Sequence, residues 1–99
     1  MKYSISKEDR YANIQPAEEN LTAAFAPALK TEFVLLINGG HDNIICDLSK
    51  VNYVDSSGLS AFLVGHRICN DKNGKFVLCN ISSSLEKLLK MSQLDSILN

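Results

Sequence analysis

The sequence is poor in the arrangements of residues that hold metals or form disulfides. It has two histidines without the spacing of metal ligands, and its three cysteines include no Cys-x-x-Cys pair. Cys46, Cys69 and Cys79 lie inside apolar runs, which is typical of reduced core thiols in a cytoplasmic protein. We therefore expect no metal site, no disulfide and a cytoplasmic location.

The sequence also lacks an excess of charge and a long apolar run. Ten Lys and Arg residues against eleven Asp and Glu residues give a net charge of −1, too little to attract nucleic acid or an anionic membrane. The longest purely aliphatic run, Val34 to Ile37, is far shorter than the ~18 residues that a transmembrane helix needs. The first ten residues contain no apolar segment of the kind found in signal peptides. We expect neither a nucleic-acid partner nor membrane insertion.

Catalytic motifs are missing as well. Gly58 stands alone, whereas a phosphate-cradling loop needs a glycine-rich run that ends in Lys. No G-x-S-x-G segment is present, and His66 lies about three helical turns from Ser56 on one predicted helix, too far to act as its base. The sequence therefore predicts no catalytic residues and no cofactor, and a small phosphate- or nucleotide-binding enzyme is the least favoured hypothesis.

What the sequence does contain is the apolar periodicity of a single α/β domain over residues 1–99. The predicted order is ββαβαβα, and strands separated by helices imply parallel pairing with the helices packed on the sheet. The predicted elements are a hairpin of residues 2–6 and 11–14, a helix from about residue 26 to 38, a buried strand at 44–48, a helix from 56 or 57 to about 70, a buried strand at 76–79 and a helix over 85–91 that Ser83 caps.

The most specific signal lies between a predicted strand and a predicted helix. Asp47-Leu48-Ser49, a short spacer, and then Val54-Asp55-Ser56-Ser57-Gly58-Leu59 resemble the STAS domains of anti-sigma factor antagonists. The resemblance covers roughly residues 18 to 95 and implies a small sheet with helices mainly on one face. It also implies that Ser56 is phosphorylated by a partner that is both an anti-sigma factor and a serine kinase. A serine phosphatase is a further implied partner, and the chain itself is not an enzyme.

The sequence departs from the family pattern at two places. Thr22 stands where the family usually has Asp, which removes a carboxylate that could contact the phosphorylation loop. The sequence stops at Asn99, before the closing strand and helix that family members commonly have. We therefore expect one edge of the sheet to be more open, or to be covered by Leu94, Ile97 and Leu98.

The residues around Ser56 have separate predicted roles. Asp and Ser before an apolar periodic segment mark a helix start, where backbone amides and the helix dipole favour negative charge. Ser56 is therefore expected at an exposed helix N-terminus that tolerates a phosphate. Asp55 either caps the helix or orients Ser56, Ser57 is a first-turn residue, and Gly58 allows close approach of another backbone.

The predicted helix that begins at Ser56 is apolar on two sides. The bulkier side is assigned to the core and comprises Leu59, Phe62, Leu63, His66 and Cys69, with His66 a buried and hydrogen-bonded histidine. The other side is assigned to an exposed strip that binds a partner and comprises Ala61, Val64, Gly65 and Ile68, with Ser60, Arg67 and Asp71 on its rim. The alternative is that another helix of the same domain covers this strip.

Two hypotheses for the function follow. The first is a monomeric binding module that binds an anti-sigma factor when Ser56 is unphosphorylated, so that a sigma factor is released. The second is a small cytoplasmic STAS subunit of an ABC-type membrane transporter, which would act as a constitutive interaction module.

Overall fold

Nine helices and strands follow one another in the computed structural model, which describes residues 3–8 and 11–91. They are β1 (Tyr3–Glu8), β2 (Tyr11–Pro16), β3 (Asn20–Leu21), α1 (Ala26–Asn38), β4 (Asn43–Asp47), β5 (Tyr53–Val54), α2 (Ser56–Asp71), β6 (Phe76–Cys79) and α3 (Ser83–Met91). The predicted order of elements is confirmed, and the two-residue strands β3 and β5 are additions to it.

The main sheet has the strand order β1-β2-β4-β6. β1 and β2 form the predicted antiparallel hairpin, in which Ile5 lies opposite Ile14, and β4 pairs in parallel with both β2 and β6. The helices cover mainly one face of this sheet, as predicted, because side chains buried in the core alternate along β4 and β6 with half-buried ones on the other face. The buried core includes Ala12, Ile14, Ile44, Cys46, Phe76 and Leu78 of the sheet, Leu29 and Phe33 of α1, Phe62 of α2, and Leu85 and Leu89 of α3.

The central strand β4 is buried on one face only, which differs from the prediction. Its continuous apolar run is typical of a strand covered on both sides. Ile44 and Cys46 are fully buried under the helices, but Ile45 is half-buried on the outer face. There it lines an open groove of about 400 Å³ together with Val77 and Tyr11. The run is apolar at every position, so it could not indicate which face the helices cover.

The helix ends follow their local signals. Pro27 lies in the first turn of α1, and Gly40, with φ of +97°, follows its C-terminus, as the Asn38-Gly39-Gly40 stop predicted. The predicted cap of α3 was wrong by one residue. Leu85 N donates to Ser82 Oγ at 3.2 Å, so Ser82 rather than Ser83 caps this helix.

A second, two-stranded sheet connects the segments that precede α1 and α2. β3 pairs in parallel with β5, with Asn20 opposite Tyr53 and Leu21 opposite Val54. Asn52 N and Tyr53 N also donate to Glu19 O, at 2.7 and 3.2 Å. The sequence predicted only a loop over residues 49–55, because a strand of two residues is too short to show a period. This pairing places the turn before α1 beside the N-terminus of α2.

Two predicted features fall outside the described residues. They are the tip of the charged hairpin turn, at Asp9 and Arg10, and the covering of a sheet edge by Leu94, Ile97 and Leu98.

Candidate functional site

Asp55 is the N-cap residue of α2 and connects two segments of the chain. Its Oδ1 accepts a hydrogen bond from Gly58 N at 3.0 Å, and its Oδ2 accepts one from Ala23 N at 3.1 Å. Its own amide donates to Leu21 O at 3.1 Å, which extends the β3–β5 pairing by one step. Of the two roles considered for Asp55, the structure therefore shows the cap. The carboxylate also fixes the turn before α1 against α2.

Ser56 is the first residue of α2, and its side chain is exposed. Because Asp55 supplies the cap, the Ser56 hydroxyl is not needed to close the helix end. A helix of 16 residues presents a positive dipole end and unpaired amides here, which favour an anion. Ser57 is half-buried in the same turn. Local geometry therefore makes Ser56 the more accessible of these two hydroxyls.

Gly58 lies where the first turn of α2 packs against the small sheet. A Cβ atom added to Gly58 would lie 2.6 Å from Leu21 O and 3.1 Å from Val54 Cβ. Such distances are too short for an ordinary side chain, and the nearest atom belongs to the backbone. The predicted close approach at Gly58 is confirmed, and it brings Ser56 near the β3–β5 strands.

The predicted assignment of the faces of α2 was partly wrong. Ala61 and Gly65 were expected on an exposed strip, but both are buried. A Cβ on Gly65 would lie 2.5 Å from the ring of Phe76 and 3.0 Å from that of Phe33, and these two rings make an edge-to-face contact with centroids 5.2 Å apart. Because Gly65 has no Cβ atom, α2 can approach these two rings closely. The buried Ala61 is also small. A broad apolar pattern on α2 did not reveal that small residues face the core.

The other half of the strip lies beside α1. Val64 and Ile68 are half-buried, and Ile68 packs against the core. Ile68 also lines a cleft of about 150 Å³ together with Val34 and Ile37 of α1. The alternative that another helix covers the strip therefore holds for Ile68. A partner-binding role for Val64 and for the half-buried Ser60 stays a prediction.

Two further residues of α2 differ from their predicted environment. Leu63 was assigned to the core but is 38% exposed. His66 was expected to be buried with its hydrogen bonds satisfied. It is half-buried, and within the described part of the chain its buried Nδ1 atom has no hydrogen-bond partner.

The solvent-facing side of α2 is a line of residues at helical spacing, and we call it the outer stripe: Ser56, Ser60, Leu63 and Arg67. Tyr53, which precedes the helix, is 50% exposed. Spacings of three and four residues place the members of the outer stripe on one side of the helix. An aromatic and an aliphatic side chain thus flank the Ser56 region. The spacing was visible in the sequence, but the bulk of Leu63 favoured the core.

Asp47 of the Asp-Leu-Ser motif organises a polar network at the ends of three strands. It accepts hydrogen bonds from Ser49 N at 3.0 Å, Asn80 Nδ2 at 3.1 Å and Gln15 Nε2 at 3.3 Å. Partial burial acts to raise the pKa of Asp47, but these hydrogen bonds outweigh it and hold the pKa below its ordinary value. Gln15 Nε2 also donates to Ser49 Oγ at 2.9 Å. The network fixes the start of the loop that leads to Ser56.

Sequence reasoning missed Gln15 and Asn80 as members of this network. Both are more than 30 residues from Asp47 in the chain. The only local sign at Asn80 is its φ of +56°, a conformation that Asn tolerates better than most residues, and it follows strand β6. No motif in the sequence links the three positions.

Within residues 3–8 and 11–91, no three His, Cys, Asp or Glu side chains form a group that could hold a metal ion. In the same residues, no helix has both the length and the apolar character required to cross a bilayer.

Comparison with known proteins identifies the family of this chain. The family model described as the STAS domain matches residues 6–99. The chain is 34% identical over 74 residues to the anti-sigma-B factor antagonist of Bacillus subtilis (strain 168). This match spans 75% of this chain and 67% of that protein. It is 32% identical over 57 residues to the anti-sigma F factor antagonist of Paenibacillus polymyxa, a match over 58% of this chain and about half, 49%, of that relative. The chain belongs to the STAS domain family.

Solved structures show the same fold at lower identity. The unphosphorylated anti-sigma factor antagonist SpoIIAA superposes with a TM-score of 0.85 at 20% identity, over 99% of this chain and 86% of that one. The phosphorylated form of the Bacillus cell fate determinant SpoIIAA superposes with a TM-score of 0.78 at 18% identity, over 99% and 89%. At these identities the likeness concerns the fold alone.

Proposed function

We propose that the chain is an anti-sigma factor antagonist that binds its partner while Ser56 is unphosphorylated and releases it once Ser56 carries a phosphate. The partner would be an anti-sigma factor that is also a serine kinase, and a serine phosphatase would restore the binding form. The observation that carries this proposal is the position of Ser56, an exposed hydroxyl at the start of α2 beside a separate cap, Asp55. Two relatives named as antagonists of anti-sigma factors support it.

The contact surface is proposed to be the outer stripe together with Tyr53. Leu63 and Tyr53 offer exposed apolar area on either side of Ser56 in the chain, and Arg67 offers a charge at the far end. Phosphorylation adds about −1.5 to −2 charges. The helix N-terminus accepts that charge, but a partner packed on the same surface must desolvate it. The chain itself contributes the acceptor hydroxyl and no catalytic group, and it would act in the cytoplasm as a monomer without nucleic acid.

The test compares Ser56→Asp with a matched control on another helix. Ser83 is an exposed first residue of α3 that follows a separate cap, Ser82, so Ser83→Asp adds the same charge in the same local setting. A partner kinase is first recovered with the unphosphorylated chain and purified, and its affinity is measured by titration calorimetry. Ser56→Asp should weaken binding by about tenfold or more, and Ser83→Asp should leave it unchanged.

Phosphorylation is then tested directly. Ser56→Ala should bind normally, and its binding should no longer be lost when ATP is added. If chain phosphorylated at Ser56 binds with unchanged affinity, the switch is excluded, and a constitutive STAS subunit of an ABC-type transporter becomes the better account.

A further inference from the structure

We propose that the open groove on the outer face of the main sheet binds a free straight-chain fatty acid. We call it the sheet groove, and the described residues that line it include Tyr11, Asn13, Asn43, Ile45, Lys75 and Val77. Its volume of about 400 Å³ falls within the range of ~300–1,000 Å³ that is usual for small-molecule sites. The groove lies on the face of the sheet opposite the helices, so this proposal does not rest on the proposed function of α2.

The register of three parallel strands builds the sheet groove from two rows of side chains. Asn13 of β2 lies opposite Ile45 of β4, and Ile45 lies opposite Val77 of β6. Neighbouring strands lie about 5 Å apart, so a row that crosses three strands is about 10 Å long. The row on the amino-terminal side of these residues consists of Tyr11, Asn43 and Lys75.

The sheet groove combines an apolar floor with one cation at its edge. Ile45 and Val77 are half-buried neighbours on the floor, and Tyr11, which is 36% exposed, adds its ring. Lys75 is exposed, and it is the one charged residue among the described residues that line the groove. An alkyl chain with a terminal carboxylate matches this layout. The chain covers the floor, and the carboxylate accepts hydrogen bonds from the Lys75 ammonium.

The surroundings of the groove fix the orientation of such a ligand. Lys75 N donates to Asn43 Oδ1 at 2.9 Å, and Ile44 N donates to Lys75 O at 2.9 Å, so the Lys75 backbone is held at one end of the groove. Asp47 lies two residues beyond Ile45 on the same face of β4, at the other end. Its negative charge repels a carboxylate there, so the ligand carboxylate lies at the Lys75 end.

The extent of the groove favours a small molecule over a macromolecule. A standard protein interface uses about 20–30 residues on each side, far more than the described residues that line the sheet groove. The net charge of −1 also gives the chain no general attraction to an anionic membrane. One lysine beside an apolar floor matches a ligand with one negative charge, and a free fatty acid has that composition.

The first test is titration calorimetry of the full chain with dodecanoate, below the concentration at which it forms micelles. Each fully buried methylene is worth about fourfold in affinity, so dodecanoate should bind more tightly than octanoate, and acetate should not bind. Lys75→Gln should weaken dodecanoate binding by up to about fivefold, as the loss of an exposed ion pair does. Lys72→Gln is the matched control, because Lys72 is exposed in the same turn but lines the cleft between α1 and α2.

Three further variants separate charge from packing. Lys75→Glu should reverse the preference of the chain between dodecanoate and dodecyltrimethylammonium, which a loss of packing alone would not do. Val77→Asp places a carboxylate on the floor and should abolish dodecanoate binding. Val77→Thr has nearly the same shape as wild type and should weaken dodecanoate binding, which keeps the test valid if the Asp variant does not fold. Melting temperatures show which variants are folded.

Amide chemical shifts locate the bound dodecanoate. We expect them to change at Ile45 and Val77, and changes centred on Ile68 in the cleft between α1 and α2 would overturn the proposal. Equal weakening by Lys75→Gln and Lys72→Gln, or no saturable binding up to about 1 mM dodecanoate, would also overturn it. If the chain then sediments with phosphatidylglycerol vesicles, the surface is a membrane contact instead. Saturating dodecanoate should leave the affinity for the proposed partner unchanged, so either proposal can fail alone.

Discussion

At the scale of single residues, Asp55 caps α2 and leaves the hydroxyl of the adjacent Ser56 free for the proposed modification. Its two carboxylate oxygens hold Gly58 N and Ala23 N, so one side chain joins α2 to the turn before α1. Ser56 takes no part in either contact. A residue that is exposed and structurally dispensable can accept a large anionic group without cost to the fold.

Because only Asp55 caps the helix, we expect substitutions of these two adjacent residues to differ in their effect on stability. Asp55→Ala should lower the free energy of unfolding by about 0.5–2 kcal/mol, the usual cost of losing an N-cap, and the loss of the Ala23 contact adds to it. Ser56→Ala should leave the unfolding free energy nearly unchanged. Urea denaturation followed by circular dichroism measures both. Equal losses for the two variants would show that Ser56 shares the capping role.

Gly58 provides a second residue-scale prediction. Ala normally stabilises a helix relative to Gly, but a Cβ at this position would lie 2.6 Å from the backbone oxygen of Leu21. Gly58→Ala should therefore destabilise the protein by about 1–3 kcal/mol, as overpacking does. Ser57→Ala, one residue away, is the control and should show no comparable loss in the same urea titration. A Gly58→Ala variant more stable than wild type would contradict the packing of α2 on β3.

Asp47 predicts how stability responds to acid. Its hydrogen bonds hold its folded-state pKa below the ordinary value, so the folded state favours the carboxylate. Its contribution is then fully present above the unfolded-state pKa near 4 and is lost as pH falls through the folded-state value. Thermal melts from pH 6 down to pH 2 should fall more steeply in wild type than in Asp47→Asn. Parallel curves would mean that the hydrogen bonds of Asp47 do not favour its charged form over its protonated form.

At the scale of elements, α2 shows how a helix with two apolar sides is oriented. Gly65 lies against the rings of Phe33 and Phe76, so part of the small side faces the core together with Phe62, whereas Leu63 of the bulkier side is 38% exposed. Tight approach of α2 to α1 and β6 requires small residues at the contact, whereas Leu63 remains available to a partner.

Two Asp substitutions on α2 test this orientation. Ile68→Asp should destabilise the fold by about 1–3 kcal/mol, because Ile68 packs against the core beside α1. Leu63→Asp should stay within about 0.5 kcal/mol of wild type, as exposed positions usually do, and should weaken binding of the proposed partner. Chemical denaturation and calorimetric titration give the two readouts. Unfolding caused by Leu63→Asp would reverse the assignment of faces.

At the scale of the whole molecule, the cysteines are components of the core rather than of a redox device. Burial raises the pKa of Cys46 far above its ordinary value and raises that of Cys69 to about 11. Cys79 is half-buried, and partial burial followed by the nearby Asp47 charge raises its pKa as well. All three thiols are therefore protonated and weakly nucleophilic near neutral pH.

Because these thiols are buried or half-buried, we expect the stability of the protein not to depend on redox conditions. The melting temperature should be the same with and without reductant, and Ellman's reagent should label Cys46 and Cys69 only after denaturation. A large stabilisation that disappears on reduction would require a disulfide, which the free thiols of the structure do not form.

The sequence by itself determined the elements and the motif. The start of α1 near Ala26, its end before Gly40 and the start of α2 at Ser56 follow from proline, glycine and capping preferences, which act over three or four residues. The string from Asp47 to Leu59 is also local, so the family was identifiable before the fold was known.

Only the tertiary structure decided which surfaces are available. The face of α2 that meets the core depends on the space that Phe33 and Phe76 leave at Gly65, and those rings belong to other elements. Likewise Asp47 finds Gln15 and Asn80 across more than 30 residues, and Thr22 comes beside Asp55 through a two-residue pairing of β3 with β5. Contacts of this kind depend on how distant segments pack, and local periodicity carries no information about such packing.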